Sequence, residues 1–160
     1  MAEVQVLKQW INPQYLSAET MQQVEKHISQ QPLPNIQLAQ FLLPQKAEEI
    51  RKALEKTKWQ QQYIPHMHSY ALGNDAALKS FFSFLDSNGF KVFLGTMLRK
   101  EIKTIEKEIL LFQHRDYTLL HDSRQEKDAI LCCFDFTKDW PVGAGGETVV
   151  VNKTEPLLFP

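Results

Sequence analysis

Tyr117-Thr118-Leu119-Leu120-His121-Asp122 reads as a strand that ends in an imidazole and a carboxylate. Its aromatic and β-branched start suits a pleated, half-buried surface. The polar turn His114-Arg115-Asp116 precedes it, and the run from Asp122 to Lys127 closes it. On either side the chain has the same texture from Arg99 onward. Ile102 to Phe112, Ala129 to Phe136 and Thr148 to Val151 are further expected strands, and Glu155 to Pro160 reads as another.

The residues before Arg99 have a helical period instead. Ser17 is placed to cap a helix reaching about Gln30, in which Thr20, Met21, Val24 and Ile28 share a face. Gln31-Pro32-Leu33-Pro34 ends it. Ile36 to Leu42 reads as a short strand, and Pro44 suits the first turn of a helix with Ala47, Ile50 and Leu54 on one face. The segment around Trp59, Tyr63 and Ile64 is short and glutamine-rich, with no assignable period, and Pro65 argues against a helix there. Asn74 or Asp75 can cap a helix striped by Leu78, Phe81, Phe82 and Leu85, and another helix covers Gly89 to Leu98. The expected class is therefore α+β, with a helical part over 1–98 and strands over 99–160 in a single domain.

With 43% hydrophobic and 23% charged residues, and 18 basic residues against 19 acidic, the chain has the composition of a soluble globular protein. The sequence pI of about 6.5 gives no footprint of a phosphate-binding surface, so no direct nucleic-acid partner is expected. No apolar run approaches the ~20 residues of a bilayer span, and Met1 to Trp10 lacks the order of a signal peptide. The expected location is cytoplasmic, with no membrane partner. Cys132 and Cys133 are adjacent and read as free thiols.

The residues that could carry chemistry are few. A strand ending in His121-Asp122 brings an imidazole and a carboxylate to a sheet edge, which is the donor chemistry of non-haem Fe(II) sites. His66 and His68 could share one side of a strand but have no third ligand at a clear spacing. His114 reads as an exposed turn residue, and the Phe81, Phe82, Phe84 and Phe93 group as core. Trp140, beside Pro141 in a loop, is the candidate for an exposed, partner-binding aromatic. The run Gln60-Gln61-Gln62 suggests no function.

Several blocks together carry a family resemblance. Trp10-Ile11-Asn12-Pro13-Gln14-Tyr15-Leu16, Gln40-Phe41-Leu42, Tyr117 to Asp122, Trp140 and Gly145-Gly146 follow in order over residues 10–151. In this order they resemble the ribosomal-protein prolyl hydroxylase family of 2-oxoglutarate oxygenases, and most closely its second, C-terminal domain. The resemblance implies N-terminal helices packed on a double-stranded β-helix of jelly-roll or cupin type, with later strands lying past Pro160. The catalytic domains of that family carry His-x-Asp, and aligning its histidine with His121 puts Ser123 at the carboxylate. A neutral hydroxyl binds Fe(II) more weakly and leaves the cation's charge uncompensated.

The resemblance thus implies a degenerate, non-catalytic domain that needs no cofactor. Its role would be to recognise substrate or to associate with a protein partner, such as a catalytic domain of the same family. The alternative is an active Fe(II)- and 2-oxoglutarate-dependent prolyl hydroxylase. There His121 and Asp122 would bind iron, Tyr117 would reach the oxoglutarate carboxylate, and the remaining ligand would lie beyond Pro160. Adjacent strand side chains point to opposite faces, so Asp122 joins His121 only if the backbone turns between them.

Overall fold

The computed structural model describes residues 2–31, 35–65, 68–118, 130–139, 148–151 and 156–159. The chain forms two compact units, one of 1–57 with 75–107 and one of 58–74 with 108–160. All five described α-helices fall in the first unit, and all the described strands in the second. Helices and antiparallel strands are thus segregated between the two units, although β1 and β2 fall between α3 and α4 along the chain.

The helical unit begins with α1 (Ala2–Trp10). Asn12 then caps a single 3-10 turn, Pro13–Leu16, its side chain accepting from the Gln14 N–H at 3.2 Å. Ser17 caps α2 (Ala18–Ser29) by accepting from the Thr20 N–H at 3.1 Å. On the expected face of this helix Val24 is buried, and Thr20, Met21 and Ile28 are half-buried. Helix α3 (Pro44–Leu54) starts on Pro44, where the missing N–H costs nothing, and buries Ile50. A 3-10 turn (Asp75–Leu78) leads into α4 (Lys79–Asp86), and Ser87 caps α5 (Asn88–Leu98) by accepting from the Phe90 N–H at 3.2 Å.

The core of this unit is aromatic. Phe81, Phe84, Leu85, Phe90, Phe93, Leu94 and Met97 from α4 and α5 are all buried. They meet Trp10, whose ring stacks on Phe84 at 4.9 Å and tilts against Phe81 at 5.7 Å. The phenylalanine group is therefore core, with Phe82 half-buried beneath the Lys107 ammonium at 5.7 Å. Helix α5 ends on Arg99 in the left-handed conformation (φ 50°), and the Lys100 N–H returns to the Gly95 carbonyl at 3.1 Å.

In the second unit β1 (Trp59–Ile64) and β2 (His68–Gly73) form an antiparallel pair with Trp59 opposite Gly73 and Ile64 opposite His68. The far side of β2 pairs with two short strands, β3 (Leu110–Leu111) and β4 (Tyr117–Thr118), both antiparallel. A separate antiparallel pair joins β5 (Thr148–Val151) to β6 (Pro156–Phe159).

Four expectations from the sequence need correction. β1 and β2 form an antiparallel pair in a segment that the sequence left unassigned, inside the part taken overall as helical over 1–98. Ile36 to Leu42 is no strand: it makes one bridge, Ile11 to Leu42, and Gln40 takes φ 53°, which no regular strand tolerates. Within Ile102 to Phe112 the described strand is Leu110–Leu111, and no strand is assigned over the described residues 130–136. β-Propensity reflects packing context as much as the residues themselves, so such runs need not form ladders. Helix α1 was not anticipated, although Val6, Leu7 and Trp10 lie along its inner side.

Two substitutions probe the helical unit. Ile11, with 0% exposure, should cost about 2–5 kcal/mol on Ile11→Ala. At Gly95 a Cβ would sit 2.7 Å from the Lys100 carbonyl oxygen, a backbone atom that cannot swing away. Gly95→Ala should therefore destabilise by about 1–3 kcal/mol, outweighing the ~1 kcal/mol that alanine gains in a helix interior. Urea unfolding of both variants checks this, and a stabilised Gly95→Ala would show that the crowding is absent.

Candidate functional site

The site that the sequence marks begins at β4, and its assembly can be followed up to Thr118. Strands β3 and β4 lie along the same edge of β2, the first opposite Ala71 and Leu72 and the second opposite His68 and Ser69. Tyr70 alone separates those two stretches of β2, whereas Phe112 to Asp116 separate β3 from β4. The extra residues loop out as the expected His114-Arg115-Asp116 turn. The Asp116 N–H donates to the Gln113 carbonyl at 2.9 Å, and Arg115 at φ 71° occupies the third position of a type II turn.

Asp116 fastens that turn to the sheet. Its Oδ1 accepts from the Ser69 hydroxyl at 2.5 Å and from Gln61 Nε2 at 3.5 Å, and its Oδ2 accepts from the Gln113 N–H at 2.9 Å. Gln61 Nε2 also donates to Ser69 Oγ at 3.1 Å. The Ser69 hydrogen bond, then that of the Gln113 backbone, holds the Asp116 carboxyl below its ordinary 3.8; partial desolvation opposes them and Gln61 adds to them. This network escaped the sequence reading because Ser69 and Asp116 lie 47 positions apart. The one local signal is an aspartate ending a turn, whose carboxylate commonly receives a nearby N–H.

Tyr117, the candidate for a cofactor carboxylate, is half-buried directly opposite Ser69, on the face that Gln61 and Ala71 share. The other face carries His68, stacked on Tyr70 at 4.7 Å, and Phe112, 5.7 Å from Tyr70. His68 is thus part of an aromatic ladder, while His66, its expected companion, lies outside the described residues. His114 is exposed in its turn. His121, Asp122, Ser123, Trp140 and Gly145-Gly146 also lie outside the described residues. Among the residues that are described, no three His, Cys, Asp or Glu side chains converge as metal ligands would.

The two cysteines lie at the surface as free thiols. Desolvation by the surrounding chain, with Cys133 adding to it, raises Cys132; desolvation and then the charge of Asp135 raise Cys133. Both stay protonated at neutral pH, which fits structural rather than reactive thiols. In the helical unit a groove of about 280 Å³ runs between α1, α2 and α5, lined by Val4, Leu7, Leu16, Met21, Val92 and Phe93. Its wall is mainly apolar, with the charged residues Glu3 and Lys8 also lining it.

Set against known families, residues 2–156 match the model described as oxoglutarate and iron-dependent oxygenase degradation C-term. No curated protein sequence matches the chain.

The Asp116 network predicts an acid limb of stability. A carboxyl depressed in the folded state contributes stability that is present above 3.8 and lost as pH falls through its lower, folded value. Asp116→Asn should therefore unfold with a flatter pH dependence than the parent between about pH 5 and 2. Denaturant midpoints at a series of pH values measure this; superimposable curves would mean that the network contributes nothing.

Proposed function

The chain belongs to the oxoglutarate and iron-dependent oxygenase degradation C-terminal family, and on that premise we propose that it is a non-catalytic domain that binds protein. In this reading it is a double-stranded β-helix domain related to prolyl hydroxylases. It works in the cytoplasm, serving substrate recognition or association with a catalytic domain of its own family, and needs no cofactor. No described helix is long and apolar enough to cross a membrane.

The observation that carries the proposal is Ser123. With His121 taken as the motif histidine, the third position of His-x-Asp holds a hydroxyl instead of a carboxylate. Fe(II) in such sites is held by two imidazoles and a carboxylate, and the anionic ligand offsets much of the metal's charge. A serine hydroxyl supplies neither the charge nor a comparable donor. This donor set does not fit iron, so no reaction step is assigned to the chain. What remains useful to the domain is surface. Trp140 is the residue proposed to anchor a partner, since tryptophan supplies large contact area with little entropy loss and is enriched among residues that dominate interfaces.

Two measurements test this. Anaerobic calorimetry with Fe(II) or Mn(II) and 2-oxoglutarate should give no heat of binding, in the parent and in His121→Ala alike; micromolar binding that His121→Ala abolishes would restore the enzyme reading. Titration against a catalytic domain of the same family should give a complex that Trp140→Ala weakens by about tenfold or more. Undiminished binding by Trp140→Ala would remove that residue from the interface.

A further inference from the structure

We propose that the outer edge of β1 pairs with the same edge of a second copy of this chain, forming an antiparallel two-fold contact centred on Gln61. Among the described residues β1 is the terminal strand of its sheet, with β2 on one side and no strand on the other. Natural edge strands are ordinarily blunted by lysine, proline or an inward charge. Trp59-Gln60-Gln61-Gln62-Tyr63-Ile64 carries no charge, no proline and no glycine. Tyr63 is 63% exposed. An open, neutral edge bearing an exposed aromatic is the kind of surface that another strand covers.

The occupant follows from the order of the residues. Around Gln61 the strand is nearly its own mirror: aromatic, glutamine, glutamine, glutamine, aromatic. Pairing it antiparallel with itself about Gln61 sets Gln61 opposite Gln61, Gln60 opposite Gln62, and Trp59 opposite Tyr63. Every glutamine meets a glutamine, and each aromatic meets an aromatic, a favourable cross-strand pair.

The backbone selects the same register. Asn74 donates to the Lys58 carbonyl at 3.2 Å, while the Gly73 N–H turns the other way, to the Ile109 carbonyl at 2.8 Å. Bonded and non-bonded pairs alternate along an antiparallel ladder, so Gln60, Gln62 and Ile64 bond to β2. The N–H and C=O of Trp59, Gln61 and Tyr63 therefore point outward. In the register centred on Gln61 these three residues face one another as bonded pairs. Shifting the centre to Gln62 would bring Trp59 opposite Pro65, which has no N–H to give. The contact is isologous and closes at two copies. It is independent of the iron chemistry and of the proposed protein-binding role.

The test uses the 160-residue chain. Sedimentation velocity from micromolar to high micromolar concentration should show a monomer–dimer equilibrium. Gln61→Pro, which deletes an outward N–H, keeps the backbone bonds to β2 and removes the side-chain bonds to Ser69 and Asp116, should weaken the dimer at least tenfold with an unchanged far-UV spectrum. Should that variant fail to fold, cross-linking decides. In a Cys132→Ser, Cys133→Ser background, mild oxidation should link Gln61→Cys across the axis, where paired Cα atoms are about 5.5 Å apart, within disulfide reach. Lys58→Cys, about 20 Å from its copy in this register, should stay unlinked. A monomer at every concentration, larger open-ended assemblies, or equal linking at both positions would each overturn the proposal.

Discussion

The helical unit depends on one crossing of two chain segments. Ile11 bridges to Leu42, the Asn12 N–H donates to the Phe41 carbonyl and the Leu43 N–H to the Trp10 carbonyl, each at 2.8 Å. Asn12 Nδ2 reaches the Gln40 carbonyl at 3.3 Å, and the Tyr15 hydroxyl reaches the Ala39 carbonyl at 2.5 Å. A loop carbonyl left buried without a donor would cost roughly 1–3 kcal/mol. Here a short motif supplies donors to the carbonyls of exposed Ala39 and Gln40 and half-buried Phe41, and so holds the loop as it leads into buried Leu42. That arrangement lets Ile11 reach zero exposure and sets Trp10 against Phe84. It also fixes where α1 ends and where α3 begins, since Trp10 is the last residue of the first and Leu43 caps the second.

In the sheet unit β2 has the corresponding place. It is paired on both sides, and its inward Ala71 is 5% exposed. The strand beside it is cut in two by a turn, a gap that would ordinarily leave a weak edge. Asp116 repairs the gap by taking hydrogen bonds from β2, from β1 and from its own turn. A single carboxylate thus ties the turn before β4 to the β1–β2 pair that the sequence had not disclosed.

How far the sequence disclosed the fold follows the range of the interaction involved. Ser17, Pro44 and the Leu78 to Leu85 stripe act within a turn or two of helix, and each lies where its local chemistry indicated. The hairpin of β1 and β2 was hidden because glutamine has no strong preference for either state and Pro65 masked the period. Ile36 to Leu42 failed for the opposite reason. Its residues favour extension, but the partner available was one residue of the Trp10 motif, so a bridge formed in place of a strand. Asp116 and Ser69 are joined by topology alone, and no spacing rule reaches that far.

The same structure bears on what a motif resemblance means. Trp10, Ile11, Asn12, Pro13 and Tyr15 each have a role in folding: a buried ring, a buried aliphatic, a cap with a second amide bond, a helical first-turn proline, and a hydroxyl on a loop carbonyl. None of those roles touches a reacting atom. Packing therefore accounts fully for the part of the motif that can be followed residue by residue, and membership of the family rests there on architecture. Fold does not by itself carry activity. The chemical content of the resemblance lies in Tyr117 and in the residues after Thr118, where aligning His121 with the motif histidine puts Ser123 at the carboxylate. On the proposed non-catalytic reading, a chain that keeps the folding determinants and carries Ser123 at that position acts as a scaffold, whose capacity lies in its edges and exposed aromatics.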